Sequence, residues 1–269
     1  MDWLWKALLT AGSILLVMAI ARRGGRRMAG MVAALPTVTA PTLAWLAHDR
    51  GNAFAAEAAV ASVAACAMLA AFAVVHAQVA RHRGVWTTLG CGMVSAAMFA
   101  VPVALASSGL LAAIALAVFS CALALPCLPA PPRHALLPVR TPLIGTALAA
   151  VGLCMLTVAG APLLGSFASG LLASLPLISG AVAATEHASS GHGGVAHFLR
   201  GYVVGLPARA SFCATFALLV IPLGWETASL AAALCAAAVA LVTGIVPGLR
   251  TCRPLLVADR ALVSRTPRC

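Results

Sequence analysis

The residues best suited to chemistry in this 269-residue chain are prolines and hydroxyls inside apolar runs, in two segments about 140 positions apart. Residues 29–41 read A-G-M-V-A-A-L-P-T-V-T-A-P, and residues 169–180 read S-G-L-L-A-S-L-P-L-I-S-G. A proline inside a helix frees backbone carbonyls, and in a bilayer a neighbouring helix, a hydroxyl, water or a ligand must satisfy them. The predicted substrate-contacting residues of these segments are Pro36, Thr37, Thr39, Pro176 and Ser179. The alternative interpretation is a pair of kinks that let helices pack closely.

Arg209 lies well inside another apolar run, two residues after Pro207. A charge at the centre of a membrane helix costs roughly 2.5–3.5 kcal/mol on insertion scales, so it normally faces a partner or a water-filled cavity. We predict that Arg209 binds the carboxylate, phosphate or similar anionic group of a substrate. The alternatives are a structural ion pair, or a helix break that brings Arg209 to the membrane surface.

Glu57, His76 and one histidine-rich segment have weaker interpretations. Glu57 is the carboxylate inside an apolar run, and burial would suit it to proton coupling; the alternative is that it reaches the outer surface. His76 is expected at the membrane interface. The segment from Glu186 to His197 is rich in histidine and glycine, which predicts a flexible loop or gate rather than a metal site.

Composition identifies the class of protein. The chain is 62% hydrophobic and 9% charged, with a mean hydropathy of +1.04, and apolar runs of about 20 residues recur along it. These values indicate an all-α, polytopic helical membrane protein without a separate soluble domain. The net charge of +11 does not indicate nucleic-acid binding, because the arginines occupy short loops between apolar runs. The nine cysteines form no C-x-x-C pair and are expected to be small apolar fillers.

The apolar runs predict nine membrane-spanning helices. They are residues 4–21, 28–48, 54–79, 86–105, 108–126, 142–159, 162–185, 198–222 and 227–248. The predicted organisation is a first four-span repeat (1–105), a connecting span with a Pro-rich cytoplasmic loop (106–141), a second four-span repeat (142–249) and a basic cytoplasmic tail (250–269).

The basic residues predict the orientation. In the nine-span arrangement, fourteen of them fall on one side of the membrane, and only Lys6 and Arg50 fall on the other. The positive-inside rule then places the N-terminus outside and the C-terminal tail in the cytoplasm. Five spans separate each matched pair of helices, an odd number, so the second copy would enter the membrane upside down. The sequence therefore predicts a 4+1+4 inverted-topology repeat.

The first half also resembles a known family. Residues 29–37, A-G-M-V-A-A-L-P-T, followed by Leu46-Ala47-His48, resemble the signature of the GlpM-like family of small four-span membrane proteins. The second half keeps the Ser-Gly and Leu-Pro pairs but has Leu177 in place of the threonine and Glu186-His187 in place of the Ala-His pair. The resemblance implies a tandem fusion of two such units, and it implies architecture rather than a reaction.

These patterns favour one function over two others. Inverted repeats with a broken helix in each half are typical of secondary transporters, so we predict a bacterial inner-membrane transporter that moves a small solute, an anion being favoured, by alternating access. No nucleotide-binding, zinc-hydrolase or nucleophile-elbow motif occurs, so we expect no enzyme activity, no cofactor and no metal. The expected partners are the bilayer, a small-molecule substrate, a coupling proton or ion, and no nucleic acid; the small-residue faces permit a homo-oligomer. The alternatives are a non-transporting protein that assists a partner complex, and an enzyme acting on lipids near Glu186.

Overall fold

The computed structural model describes three long stretches and three isolated residues of the chain: 25–106, 109–130 and 143–263, with residues 8, 11 and 12. Regular secondary structure in these stretches is helical throughout, without a strand. The predicted first span, 4–21, lies almost wholly outside the described residues, as does most of the Pro-rich loop. The predicted all-α class is confirmed for the part of the chain that the structure describes.

The described residues form seven helices. They are α1 (Gly25–Ala34), α2 (Thr39–Arg50), α3 (Asn52–Val79), α4 (Val85–Ala106), α5 (Leu110–Cys127), α6 (Leu143–Leu172) and α7 (Leu177–Val263).

Two of these helices are interrupted at glycines. The φ angle is +76° at Gly165 in α6, and +63° and +78° at Gly191 and Gly224 in α7. Side-chain-bearing residues seldom adopt this left-handed backbone, whereas glycine adopts it readily. The interruptions divide the two helices into α6a (143–164), α6b (166–172), α7a (177–190), α7b (192–223) and α7c (225–263).

Within the described ranges, six helices are long and apolar enough to cross a membrane. The first of them, Arg27–Arg50, combines α1 and α2. Large apolar side chains on several helices point away from the protein interior, and Trp86, Leu111 and Leu163 are each more than 80% exposed. Such a surface suits lipid and not water, so the protein is embedded in a membrane.

Helix α3 forms the centre of the bundle. It is apolar on all sides, as expected for a helix surrounded by others, and it packs against every helix from α2 to α7. Its many alanines allow neighbouring backbones to approach closely. The predicted loop between residues 186 and 197 is wrong, because these residues continue the helices α7a and α7b and only Gly191 departs from helical geometry.

Candidate functional site

Two helix breaks that share three backbone hydrogen bonds lie at the centre of the site. The first separates α1 from α2 at residues 35–38, and the second separates α6b from α7a at residues 173–176. A proline disfavours helical backbone in the residue before it, which explains why both helices stop at a Leu-Pro pair. Three backbone N–H to carbonyl hydrogen bonds recur at matching positions in the two breaks. In the first break the N to O distances are 3.1 Å (Leu35 to Val32), 2.7 Å (Thr37 to Leu35) and 2.7 Å (Ala40 to Pro36). In the second they are 3.1 Å (Leu175 to Leu172), 2.9 Å (Leu177 to Leu175) and 2.7 Å (Gly180 to Pro176).

The two breaks touch each other. The Thr39 hydroxyl, in the first turn of α2, donates a hydrogen bond to the carbonyl of Ala173 in the second break, at 3.2 Å. Thr39 is completely buried. One of the carbonyls in the second break is thus satisfied by a hydroxyl from the first break, as the bilayer environment requires.

Arg209 reaches this junction from α7b. Its side chain is 6% exposed, and its Nη2 donates a hydrogen bond to the hydroxyl of Thr39. Its Nε is buried and has no hydrogen-bond partner, and no salt bridge links the guanidinium to a carboxylate among the described residues. A buried donor without a partner costs about 1–3 kcal/mol, and more when it is charged. The arginine therefore presents a positive charge and an unused donor at the point where the breaks meet.

Tyr202 completes the polar centre. It lies two helical turns before Arg209 on α7b, which puts both side chains on one face of that helix. Tyr202 is completely buried, and its hydroxyl interacts with the side chain of Ser179 in the first turn of α7a. Two side chains on one face of α7b thus contact the two broken helices: Arg209 contacts Thr39, and Tyr202 contacts Ser179. Because Thr39 and Ser179 differ by 140 positions, each break contributes its equivalent hydroxyl.

Close backbone approaches fix both broken helices in place. A β-carbon on Gly30 would overlap the carbonyl oxygen of Phe198, and one on Gly170 would overlap the carbonyl oxygen of Ala58. The hydroxyl of Ser62 adds a 3.1 Å hydrogen bond to the Gly170 carbonyl. Glycine is required at both positions because only hydrogen leaves room for the neighbouring helix.

The other predicted substrate-contacting residues lie within the two breaks. Pro36 and Pro176 are buried, and Thr37 is half-buried. Pro36 and Thr37 line a mainly apolar cavity of about 290 Å³ that also contacts Phe212 on α7b and alanines of α7c. The structure therefore gathers Thr39, Ser179 and Arg209 in one polar centre, with the two prolines forming the breaks beside it.

Glu57 lies away from that centre. It is exposed, one turn into α3, and its Oε2 accepts a hydrogen bond from the Ser166 hydroxyl at 2.5 Å. Nine residues, or about 13 Å of helix, separate Glu57 from Cys66, whose thiol contacts the Leu206 carbonyl one turn from Arg209. Its role in proton coupling stays a prediction.

The histidine-rich segment is helical on both sides of Gly191. No group of three or more potential metal ligands occurs among the described residues. Glu186 is buried with its Oε2 close to Gly194, and His187 is half-buried on α7a. Residues 186–197 therefore form helix ends that pack into the bundle.

Tyr202, Ser62 and Cys66 were missed by sequence reasoning, although one signal points to them. Cys66 contacts the carbonyl of Leu206, 140 positions away, and Tyr202 and Ser62 also differ by 140. The same constant offset relates Gly51 to Gly191, both of which have positive φ between a half-helix and the long helix after it. Extending the predicted repeat at this fixed offset would have paired Ser62 with Tyr202, two polar residues inside apolar runs.

Comparison with known protein families, with curated proteins and with solved structures finds no match to this chain. The GlpM-like resemblance of the first half therefore stays a prediction.

Proposed function

We propose that this protein is a secondary transporter of a small anion. The observation that carries the proposal is Arg209: a buried cation with an unused donor at the junction of two helix breaks, and without a carboxylate partner in the described part of the chain. A buried charge normally has a partner, and a substrate anion would supply one. Thr39, Ser179 and Tyr202 would orient the ligand as hydrogen-bonding neighbours.

The two half-helices favour the same charge on the ligand. Helices α2 and α7a both begin at the breaks, and the N-terminal end of a helix carries a partial positive charge. Discontinuous helices of transporters direct such ends at anionic substrate groups. With Arg209 between them, the two ends and the guanidinium create a positive potential in a site whose surroundings are apolar.

Exchanged contacts support a two-fold relation between the halves. Gly30 packs on Phe198, and Gly170 packs on Ala58. Adding 140 to Gly30 and subtracting 140 from Phe198 converts the first contact into the second. The same exchange turns Cys66 into position 206 and Leu206 into position 66, so the contact between these two residues maps onto itself. This is the pattern of two structural repeats around a pseudo-two-fold axis, with α3 and α7b crossing near it.

Contacts at one end of the bundle support opposite orientations of α3 and α7b. Near the C-terminal end of α3, Gln78 Nε2 donates to the Cys127 carbonyl at the end of α5, at 2.6 Å. Near the N-terminal end of α7b, Arg200 donates to the carbonyls of Leu128 and Pro129, both at 3.1 Å. The end of α3 and the start of α7b thus share one face, so these equivalent helices run antiparallel, as an inverted repeat requires.

Helix length supports the nine-span count. The segment Leu177–Gly244 contains 68 residues, and a helix of that length would extend about 100 Å against a hydrocarbon core of about 30 Å. Its breaks at Gly191 and Gly224 divide it into α7a, α7b and α7c. Each of these pieces has a length suited to one membrane crossing or to one half of a broken membrane helix. We propose the 4+1+4 arrangement in a bacterial inner membrane, with the N-terminus outside.

The two breaks differ in access, as alternating access requires. The first break borders the cavity of about 290 Å³, which is lined on the α7c side by alanines including Ala233. At the second break, a β-carbon on Gly180 would lie 3.1 Å from a Leu89 methyl and 3.9 Å from the Met93 sulfur. Met93 occupies the position equivalent to Ala233. One break is therefore open and its counterpart covered, and rocking of one repeat against the other would exchange them.

The inverted arrangement predicts opposite sidedness for equivalent positions. Asn52→Cys and His192→Cys, each in a chain whose nine native cysteines are replaced by alanine or serine, place one thiol after each half-helix. An impermeant maleimide added to intact cells should label Asn52→Cys and spare His192→Cys until the membrane is opened. Labelling of both from the same side would indicate a parallel repeat and contradict the proposed topology.

Untargeted profiling of metabolites in cells and medium tests transport without the need to choose a substrate in advance. Cells expressing the intact chain should shift one class of small anion across the membrane relative to cells expressing Arg209→Leu, at equal membrane levels. If no compound moves while a second protein co-purifies with both forms, the chain would be a non-transporting partner of another complex.

A further inference from the structure

A second buried polar group lies outside the site around Arg209. His76, near the end of α3, is completely buried, and neither of its ring nitrogens has a hydrogen-bond partner. A neutral imidazole carries one donor and one acceptor, so the ring leaves both unsatisfied, which destabilises the folded protein. Unpartnered buried polar groups of this kind mark a water, an ion or a functional proton.

Packing alone does not require a histidine at this position. The His76 ring lies 5.3 Å from that of Phe72, between centroids. In the second repeat the equivalent residues are Phe212 and Phe216, whose rings stack at 6.2 Å. The same helix position therefore accepts a hydrocarbon ring of similar size, and the nitrogens of His76 add something that packing does not need.

A second histidine, on a different helix, lies within electrostatic range of the first. His187 lies on α7a and interacts electrostatically with His76, and its Nδ1 is also buried without a partner. Gly92 of α4 also packs closely on His76: a β-carbon added at Gly92 would lie 3.2 Å from the His76 Nδ1. Among the described residues, the other titratable or charged groups at this end of the bundle are Glu186 on α7a, His192, His197 and Arg200 on α7b, Arg27 on α1, Cys91 on α4, Cys127 on α5, and Arg81, His82 and Arg83 after α3.

Helix α7a connects this pair to the proposed substrate site. Ser179, in its first turn, contacts Tyr202, and His187 follows eight residues later, about 12 Å along the same helix. A movement of α7a that opens or closes the second break would therefore also move His187 relative to His76. The pair is placed to sense, or to set, the position of the half-helix.

We infer that His76 and His187 form a proton-binding site that couples proton movement to anion transport. A ring nitrogen of His76 takes a proton from water when α7a opens the interface, and it releases that proton to water on the other side when the opposite conformation is reached. The imidazole is regenerated in each cycle. The inference rests on the proposed function and assigns the coupling ion.

The test uses the full chain in sealed liposomes, with a mixture of succinate, glutamate, phosphate and sulfate as the probe. Uptake is measured by mass spectrometry in two modes: counterflow without a gradient, and accumulation driven by an imposed pH gradient. The intact chain should do both. His76→Phe, which installs the ring found at the equivalent position, should keep counterflow but lose gradient-driven accumulation at least ten-fold, and His187→Phe should do the same. His82→Phe, at an exposed histidine after α3, should keep both modes.

The outcomes separate the two proposals. Accumulation by His76→Phe and His187→Phe at the level of the intact chain would overturn the proton site, as would counterflow by the intact chain without any response to the pH gradient; both leave the proposed function standing. Loss of both modes in both variants, at normal expression, would make the histidines structural and would also overturn it. Absence of counterflow by the intact chain would remove the proposed function and the proton site together.

Discussion

Replacing Arg209 with leucine should abolish anion transport and at the same time raise the stability of the folded protein. Leu69 is the equivalent residue of the proposed first repeat and is buried there, so a leucine suits this helix position. The substitution removes a buried charge that has no carboxylate partner among the described residues, which relieves a burial cost of roughly 2.5–3.5 kcal/mol on insertion scales. It also removes the charged donor that we propose binds the substrate anion, so the rate of uptake should fall about 100-fold or more.

Opposite signs for activity and stability make this prediction specific. Uptake into liposomes and the thermal unfolding midpoint in detergent would be measured on the same preparations. Arg200→Leu is the matched control, because Arg200 lies on the same helix but donates to the carbonyls of Leu128 and Pro129. It should lower the midpoint and leave the apparent affinity for the anion unchanged. An Arg209→Leu protein that transports at the rate of the intact chain would exclude Arg209 from the site.

Adding one methyl group at Gly170 should destabilise the fold and abolish function. The new β-carbon would overlap the carbonyl oxygen of Ala58 and would also lie 2.9 Å from the β-carbon of Ala61. Both neighbours belong to the central helix α3, so α6b would have to move away from it. Overpacking of this kind typically costs about 1–3 kcal/mol, and more where the backbone cannot yield. Gly30→Ala should have a similar effect, because it meets the backbone of α7b in the equivalent way.

Gly90→Ala is the control for this pair of substitutions. Gly90 lies inside α4, and a β-carbon there would meet open space. Alanine is favoured over glycine inside a helix by about 0.5–1 kcal/mol, so the unfolding midpoint should hold or rise. Thermal unfolding is measured on the detergent-purified variants. The readout is the fraction of each protein that still elutes as a single species after heating. Gly170→Ala and Gly90→Ala proteins of equal stability would show that the close approach is not tight.

The sequence was informative where the chain is locally simple. Helices α3, α4 and α5 begin and end within two residues of the predicted spans 54–79, 86–105 and 108–126, because apolar runs there are bounded by glycine, arginine or proline. The two helix breaks were also predictable, since a Leu-Pro pair has the same local consequence in both halves.

Other features depended on contacts between distant residues. The break at Gly165 lies inside an apolar run, and composition alone placed a boundary a few residues earlier. Residues 186–197 were predicted as a loop because of their glycines, yet they are helical, and Val195 is buried in a core cluster with Phe72 and Ala73 of α3. Tyr202 and Ser62 gain their importance from partners across the bundle, which a hydropathy pattern cannot show.

Solute counterflow by the purified chain in liposomes tests the central claim most directly. Vesicles loaded with the succinate, glutamate, phosphate and sulfate mixture would be diluted into trace amounts of each isotopically labelled anion. A transporter built around Arg209 should accumulate at least one label transiently in vesicles with the intact chain, and not in vesicles with Arg209→Leu. Equal, gradient-independent leakage in both preparations, or no accumulation of any of these anions by a folded intact chain, would contradict the account.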